Sequence, residues 1–222
     1  MKYLSREAVR QVDQLAMDQL GIPGLLLMEN AARGVCQQIQ DSGPWRRIVI
    51  VCGHGNNGGD GLAIARLLAA EGQAAEVLLI RAGRKLSADA QANLDFLVRS
   101  GLPVQEAVNE VAGLIPQSLT AADLIVDCLL GTGMRGVVRA PFADLIEQIN
   151  VSSAQILAVD VPSGMDCDSG EPCGCCVRAD RTVTFVAAKQ GFAGATAAQW
   201  TGEVTVCQIG IPQSWLQARF DR

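Results

Sequence analysis

Ile48-Val49-Ile50-Val51-Cys52 runs directly into Gly53-His54-Gly55-Asn56-Asn57-Gly58-Gly59-Asp60-Gly61. The apolar, β-branched run predicts a strand covered on both faces, and the glycines predict a tight turn into a helix near Gly61 to Ala70. Gly53, Gly55 and Gly58 satisfy the glycine fingerprint of dinucleotide sites, where absent side chains let backbone N–H groups and a helix N-terminus approach a phosphate. A plain strand-to-helix turn with Asp60 as its N-cap is the simpler alternative. That turn requires neither five glycines nor paired asparagines within nine residues.

Strands and helices alternate on either side of this segment. Strands are predicted near Ala75 to Ile80, Leu124 to Cys128 and Ile156 to Asp160, with helices near Ala88 to Ser100 and Phe142 to Gln148. Such alternation predicts an α/β fold, a Rossmann-like three-layer sandwich with a mostly parallel sheet and helices on both faces. Two helical patterns, Ser5 to Leu20 and Leu25 to Ile39, precede the sheet and are separated by Gly21-Ile22-Pro23-Gly24. In the tail, Thr182 to Val186 and Glu203 to Ile209 read as strands joined by a Gly- and Ala-rich loop, so an antiparallel edge is expected. There is no repeat and no Pro- or Ser-rich linker, and residues 1–222 are expected to form one domain.

With 49% hydrophobic and 18% charged residues, the chain has the apolar surface a packed core needs. A net charge of -5 argues against nucleic acid as a partner, since that binding depends on clustered Lys and Arg. The apolar runs end before the roughly 18 residues that would span a bilayer, and no secretory leader pattern opens the chain. A cytoplasmic protein without membrane association is the expectation. Of the eight cysteines, Cys36, Cys52, Cys128 and Cys207 lie in apolar segments and read as small core residues. The group Cys173-Gly174-Cys175-Cys176 lacks a second cysteine pair at zinc spacing, and His54 is the only histidine.

Two more loops fall at the carboxyl ends of predicted strands, where open α/β sheets collect ligands. Asp127-Cys128-Leu129-Leu130-Gly131-Thr132-Gly133-Met134-Arg135-Gly136 can wrap a polar ligand, with Arg135 as a bidentate phosphate donor. Val159-Asp160-Val161-Pro162-Ser163-Gly164-Met165-Asp166 places Asp160 at the end of a buried run, where burial raises a carboxyl pKa toward acid-base use. Asp166 reads instead as a turn residue before Ser169-Gly170. A hydride-transfer enzyme fits poorly, because the second strand ends at Ile80-Arg81 without the ribose-binding acid expected about 20 residues on. Arg81 is either a 2′-phosphate contact or a solvated strand end.

Taken together, these loops resemble the NAD(P)H-hydrate epimerase family, also called the YjeF N-terminal domain. The resemblance is carried by Leu27-Met28-Glu29-Asn30-Ala31-Ala32, the loop from Gly53 to Gly61, Asp127 through Arg135, Val159 through Asp166, and Thr182-Val183-Thr184-Phe185 with Lys189. It implies an isomerase of metabolite repair, often a homodimer, that interconverts the R and S epimers of NADHX and NADPHX. It also implies that Asn56, Asn57, Gly58, Gly59, Asp60, Gly131, Thr132, Gly133, Met134, Arg135, Gly136, Val137 and Asp160 surround that ligand. One potassium ion per subunit is implied at Asn57, Asp127 and Ser163, oxygen donors suited to a hard cation. Asp160 is the expected acid-base residue and Asp60 the second candidate. A separate ADP- or ATP-dependent NAD(P)H-hydrate dehydratase is expected to act in sequence. Two alternatives are a dimerising scaffold of RNA metabolism and a dinucleotide-dependent oxidoreductase. The retained acids and ion ligands weigh against the first, the missing ribose acid against the second.

Overall fold

A computed structural model describes residues 3–107 and 115–220. In chain order they form β1 (Tyr3–Leu4), α1 (Arg6–Leu20), α2 (Gly24–Ser42), β2 (Ile48–Cys52), α3 (Asn56–Ala70), β3 (Ala75–Ile80), α4 (Ala88–Arg99), β4 (Val104–Ala107), α5 (Ile115–Thr120) and β5 (Leu124–Cys128). There follow α6 (Phe142–Val151), β6 (Gln155–Val159), β7 (Arg181–Phe185), β8 (Ala188–Lys189), a 3-10 turn (Gln190–Ala193), α7 (Ala198–Thr201), β9 (Glu203–Cys207) and α8 (Gln213–Phe220).

Seven strands form one sheet in the order β4-β3-β2-β5-β6-β7-β9, and every pairing in it is parallel. The period of two along each strand divides the core. Ile48, Ile50 and Cys52 pack with residues of α1 to α4 on one face, whereas Val49 and Val51 pack with Leu119, Leu145, Ile146 and Ile149 on the other. Helices thus cover both faces, as the alternation of the sequence predicts.

The expected antiparallel edge is absent: β9 runs parallel to β7, with Arg181 opposite Glu203 and Phe185 opposite Cys207. Residues 186–202, with α7 among them, form the long crossover that a parallel pairing requires, and their Gly and Ala content conceals it. A second correction concerns α3, which begins at Asn56 rather than near Gly61. Gly55 is its N-cap, so Asp60 lies inside the helix and not at its cap.

A separate two-stranded parallel sheet pairs β1 with β8, Leu4 opposite Lys189. It ties the start of the described chain to the end of the main sheet and launches α1 across the carboxyl ends of the strands. Ser5 caps that helix by accepting from the Ala8 N–H at 3.2 Å, and Gly21 ends it at φ 66°, in the left-handed region.

Candidate active site

Strand order reverses between β2 and β5, and a cavity of about 1130 Å³ opens there at the carboxyl ends of the strands. Its walls include α1, the start of α3, and the loop from Leu129 to Phe142. The first N–H groups of α3 have no intrahelical acceptor and carry the positive end of the helix dipole. Gly53 and Gly58 let the backbones close this turn: a methyl on Gly53 would overlap the Leu129 carbonyl oxygen, and one on Gly58 the carbonyl of Gly53. Gly55, by contrast, has open space beside it and lines the cavity.

Beneath this floor, Asp127 and Ser163 are fully buried. The Ser163 Oγ donates to Asp127 Oδ1 at 2.6 Å and accepts from the Leu130 N–H at 2.8 Å, and the Ser163 N–H donates to Asp127 Oδ2 at 2.8 Å. Burial pushes the Asp127 carboxyl up to about 6, against the pull of its bonds from Ser163 and Leu129. Asn57 donates its Nδ2 to the Leu130 carbonyl at 3.0 Å, leaving a buried Oδ1 with no hydrogen-bond partner. The Leu130 carbonyl also accepts from the Ser163 Oγ at 3.2 Å, which links Asn57 to the Asp127–Ser163 pair, and amide, carboxylate and hydroxyl oxygens are donor types that suit a hard cation. Among the described residues no group of three or more His, Cys, Asp or Glu side chains is placed to hold a metal ion.

The acid-base candidate Asp160 directly follows β6. Asp160 adopts φ 67°, and the described non-glycine residues with positive φ, Ala82, Asp160 and Val186, all line the cavity. Backbone conformations of this kind concentrate at functional sites. The Asp160 carboxylate meets the Lys189 ammonium at 2.6 Å, and Thr184 Oγ1 accepts from Lys189 at 2.8 Å and donates to Asp160 at 3.2 Å. Lys189 is 0% exposed, so a full charge is buried against its partner. Asp60 is 9% exposed; burial first, then the nearby charges of Asp160 and Asp13, hold its carboxyl well above the usual range. Burial and the Asp160 charge push Asp13 up to about 6, with Lys189 opposing.

A family model described as YjeF-related protein N-terminus matches residues 24–191. The chain belongs to this family. The NAD(P)H-hydrate epimerase of Rhodopirellula baltica is 42% identical over 214 residues, covering 95% of this chain and 85% of the relative. That of Oenococcus oeni is 33% identical, covering 94% and 97%. The bifunctional NAD(P)H-hydrate repair enzyme Nnr of Salinibacter ruber is 40% identical over 94% of this chain but only 41% of its own length. The fold matches the crystal structure of yeast ynu0, YNL200c, at a TM-score of 0.82 and 23% identity, covering 98% of this chain and 93% of the yeast chain.

Within this YjeF-family chain, Asn56, Asn57, Asp60, Asp160 and the loop Gly131, Thr132, Gly133, Met134, Arg135, Gly136 and Val137 all line the cavity. Gly58 and Gly59 do not; they lie buried behind the turn, where they set backbone packing. Arg81 points away and pairs with Glu106 at 2.9 Å, so the solvated strand end is the better description of it. Arg84 and Arg139, which the sequence left unmarked, line the cavity instead. His54 borders it near Phe142, ring centroids 6.0 Å apart, and burial lowers its pKa. Asp166 takes the turn role expected of it, accepting from the Ser169 and Asp168 N–H groups and pairing with Arg6 at 2.6 Å. The cysteine-rich loop clamps its neighbours: Cys173 N–H donates to Gly164 O at 2.7 Å, Val177 N–H to Ser163 O at 2.9 Å, and Val138 N–H to Cys173 O at 2.8 Å. All eight thiols are free. No helix among the described residues is long and apolar enough to cross a membrane.

Proposed function

We infer that this chain is an NAD(P)H-hydrate epimerase that interconverts the R and S epimers of NADHX and NADPHX. The observation that carries this reading is the Asp160–Lys189 charge pair inside a cleft at the sheet's switch point. Two relatives 42% identical that bear the name support it.

The ligand's hydroxyl is on a carbon beside the ring nitrogen. When the hydroxyl leaves as water, the nitrogen lone pair stabilises the cation, and a new water can then add to the other face. Asp160, ion-paired with Lys189, is the group that takes a proton from the incoming water and returns it when the reaction reverses. Lys189 and Thr184 fix its carboxylate, and the left-handed backbone aims it into the cleft. The free N–H groups of Asn56 and Asn57, with Arg84, Arg135 and Arg139, suit the pyrophosphate. Asp60, whose burial favours the protonated form, is placed to donate a hydrogen bond to the ligand. Gly131 to Val137 wrap the rest.

Asn57 Oδ1, Asp127 and Ser163 are the residues that would hold one potassium ion. Bound there, the ion supplies positive charge beneath the loop that grips the ligand. The Nnr relatives, in which a matching portion belongs to a longer bifunctional chain, support a dehydratase acting in sequence on the S epimer. A homodimer and a cytoplasmic location belong to the same reading.

A coupled assay tests it. R-NADHX is mixed with an ATP-dependent dehydratase that accepts the S epimer, with and without this chain, in potassium or lithium chloride. The expected result is faster recovery of NADH with the chain present. The gain should shrink in lithium, with a lower melting temperature for the protein. An unchanged recovery rate in potassium contradicts the reading.

A further inference from the structure

Inverting one carbon requires chemistry on both faces of the ring, and a single carboxylate serves only one without the ring turning over. The cleft holds another acid on a different element. Asp13 lies on α1, whose placement is over-determined: Leu4 pairs with Lys189 in register, the Arg6 N–H donates to Asp168 at 2.7 Å, and the Arg6 guanidinium meets Asp166 at 2.6 Å. Val12 and Ala16 make that helix's buried contacts, so packing has no use for an acid between them. Asp13 nonetheless lines the cavity together with Asp60, Asp160 and Lys189. Among the described residues neither Asp13 nor Asp60 has a side-chain hydrogen bond or ion pair. Asp60, at 9% exposure, is an unpartnered acid directed into the same space.

We propose that Asp13 is the second proton-transferring residue of the site, serving the face of the ring that Asp160 does not. This rests on the epimerase reading. In one direction the Asp13 carboxyl gives its proton to the departing hydroxyl, the C–O bond breaks, and water leaves as the nitrogen lone pair forms the C=N bond. Water adds from the other face, its new C–O bond closes, and its proton passes to Asp160. Asp13 ends as carboxylate and Asp160 as acid, and the reverse reaction or exchange with solvent resets them. The division follows from surroundings. Asp160 is charge-paired with Lys189, whereas Asp13 has no cation in contact. The groups facing Asp13 are Asp160 at the end of β6, Lys189 of β8, Asp60 of α3, and Arg10 one turn back on its own helix. With its carboxyl pushed up to about 6, Asp13 can both give and take a proton near neutrality. It also lies outside residues 24–191, where the family model would not mark it.

The test uses the whole chain with purified R and S epimers of NADHX, comparing wild type with Asp13→Asn, Asp13→Ala and Asp60→Asn from pH 5 to 9. For Asp13→Asn the expected result is a kcat lowered about 100-fold or more, with KM and melting temperature nearly unchanged and the limb near pH 6 lost. Formate, a small carboxylate, should restore part of the activity of Asp13→Ala. If Asp13→Asn is destabilised, formate rescue of Asp13→Ala decides the matter; if Asp13→Ala is, the kcat and pH profile of Asp13→Asn do. Epimerisation by Asp13→Asn within about threefold of wild type overturns the proposal. So does a loss that formate does not relieve in Asp13→Ala, or a loss seen only in Asp60→Asn. A wild type no faster than buffer overturns the epimerase reading, and this proposal with it.

Discussion

Lys189 is the residue whose environment is least forgiving. Its ammonium is wholly buried, held by Asp160 at 2.6 Å and Thr184 at 2.8 Å, so removing either charge strands the other. Lys189→Met is expected to cost on the order of 3 kcal/mol in a denaturant melt. The Lys189→Met, Asp160→Asn double variant should lose at least about 1 kcal/mol less than the sum of the two singles. Additive losses would show that the pair is not coupled. Asparagine is the suitable replacement for Asp160 because it tolerates the left-handed conformation found there. Asp160 was legible as an acid closing a buried run. Lys189 and Asp13 were not read as site residues, although each carries a signal. Lys189 is a charge ending the apolar run Phe185-Val186-Ala187-Ala188, and a charge in such a place requires a partner. Asp13 falls four residues after Val9 and three before Ala16, an acid on the apolar stripe of α1. What the sequence could not supply is that β1–β8 pairing brings the two together.

At the level of elements, α1 is fastened to the β6 loop chiefly through Arg6 and Asp166. Burial opposes the charge on Asp166, but the Ser169 N–H, the Arg6 guanidinium and the Asp168 N–H together pull its carboxyl down to about 2. A carboxyl depressed in the folded state stabilises the fold above its ordinary range, and that contribution disappears as pH falls through about 2. Arg6→Ala should therefore cost about 1 kcal/mol at pH 5, measured by urea unfolding. The gap from wild type should narrow as pH drops below about 4, where Asp166 protonates in the unfolded chain. A gap that widens in acid would assign the contact another role. The helices and central strands were legible because their apolar periods are long and regular. The direction of β9 was not, since a crossover made of Gly, Ala and one short helix gives no periodic signal. The start of α3 was misplaced for a related reason: glycines and asparagines are poor helix formers, and tertiary contact with the Leu129 loop holds them there.

For the molecule as a whole, a parallel sheet with a reversal of strand order opens a crevice for a ligand at that point, and three sequence-distant loops meet in it. The buried Asp127–Ser163 contact and the orphaned Asn57 oxygen form one layer beneath that crevice. The acids Asp13, Asp60 and Asp160 line the cavity above. In the proposed reaction Asp160 carries the central role. Its most direct test is the rate of R-to-S conversion of purified NADHX followed by chromatography, with wild type, Asp160→Asn and buffer side by side. Clear acceleration over buffer by the wild type and a loss of about 100-fold or more in the variant are expected. A wild type that matches buffer, or an Asp160→Asn protein that keeps the wild-type rate, would contradict it.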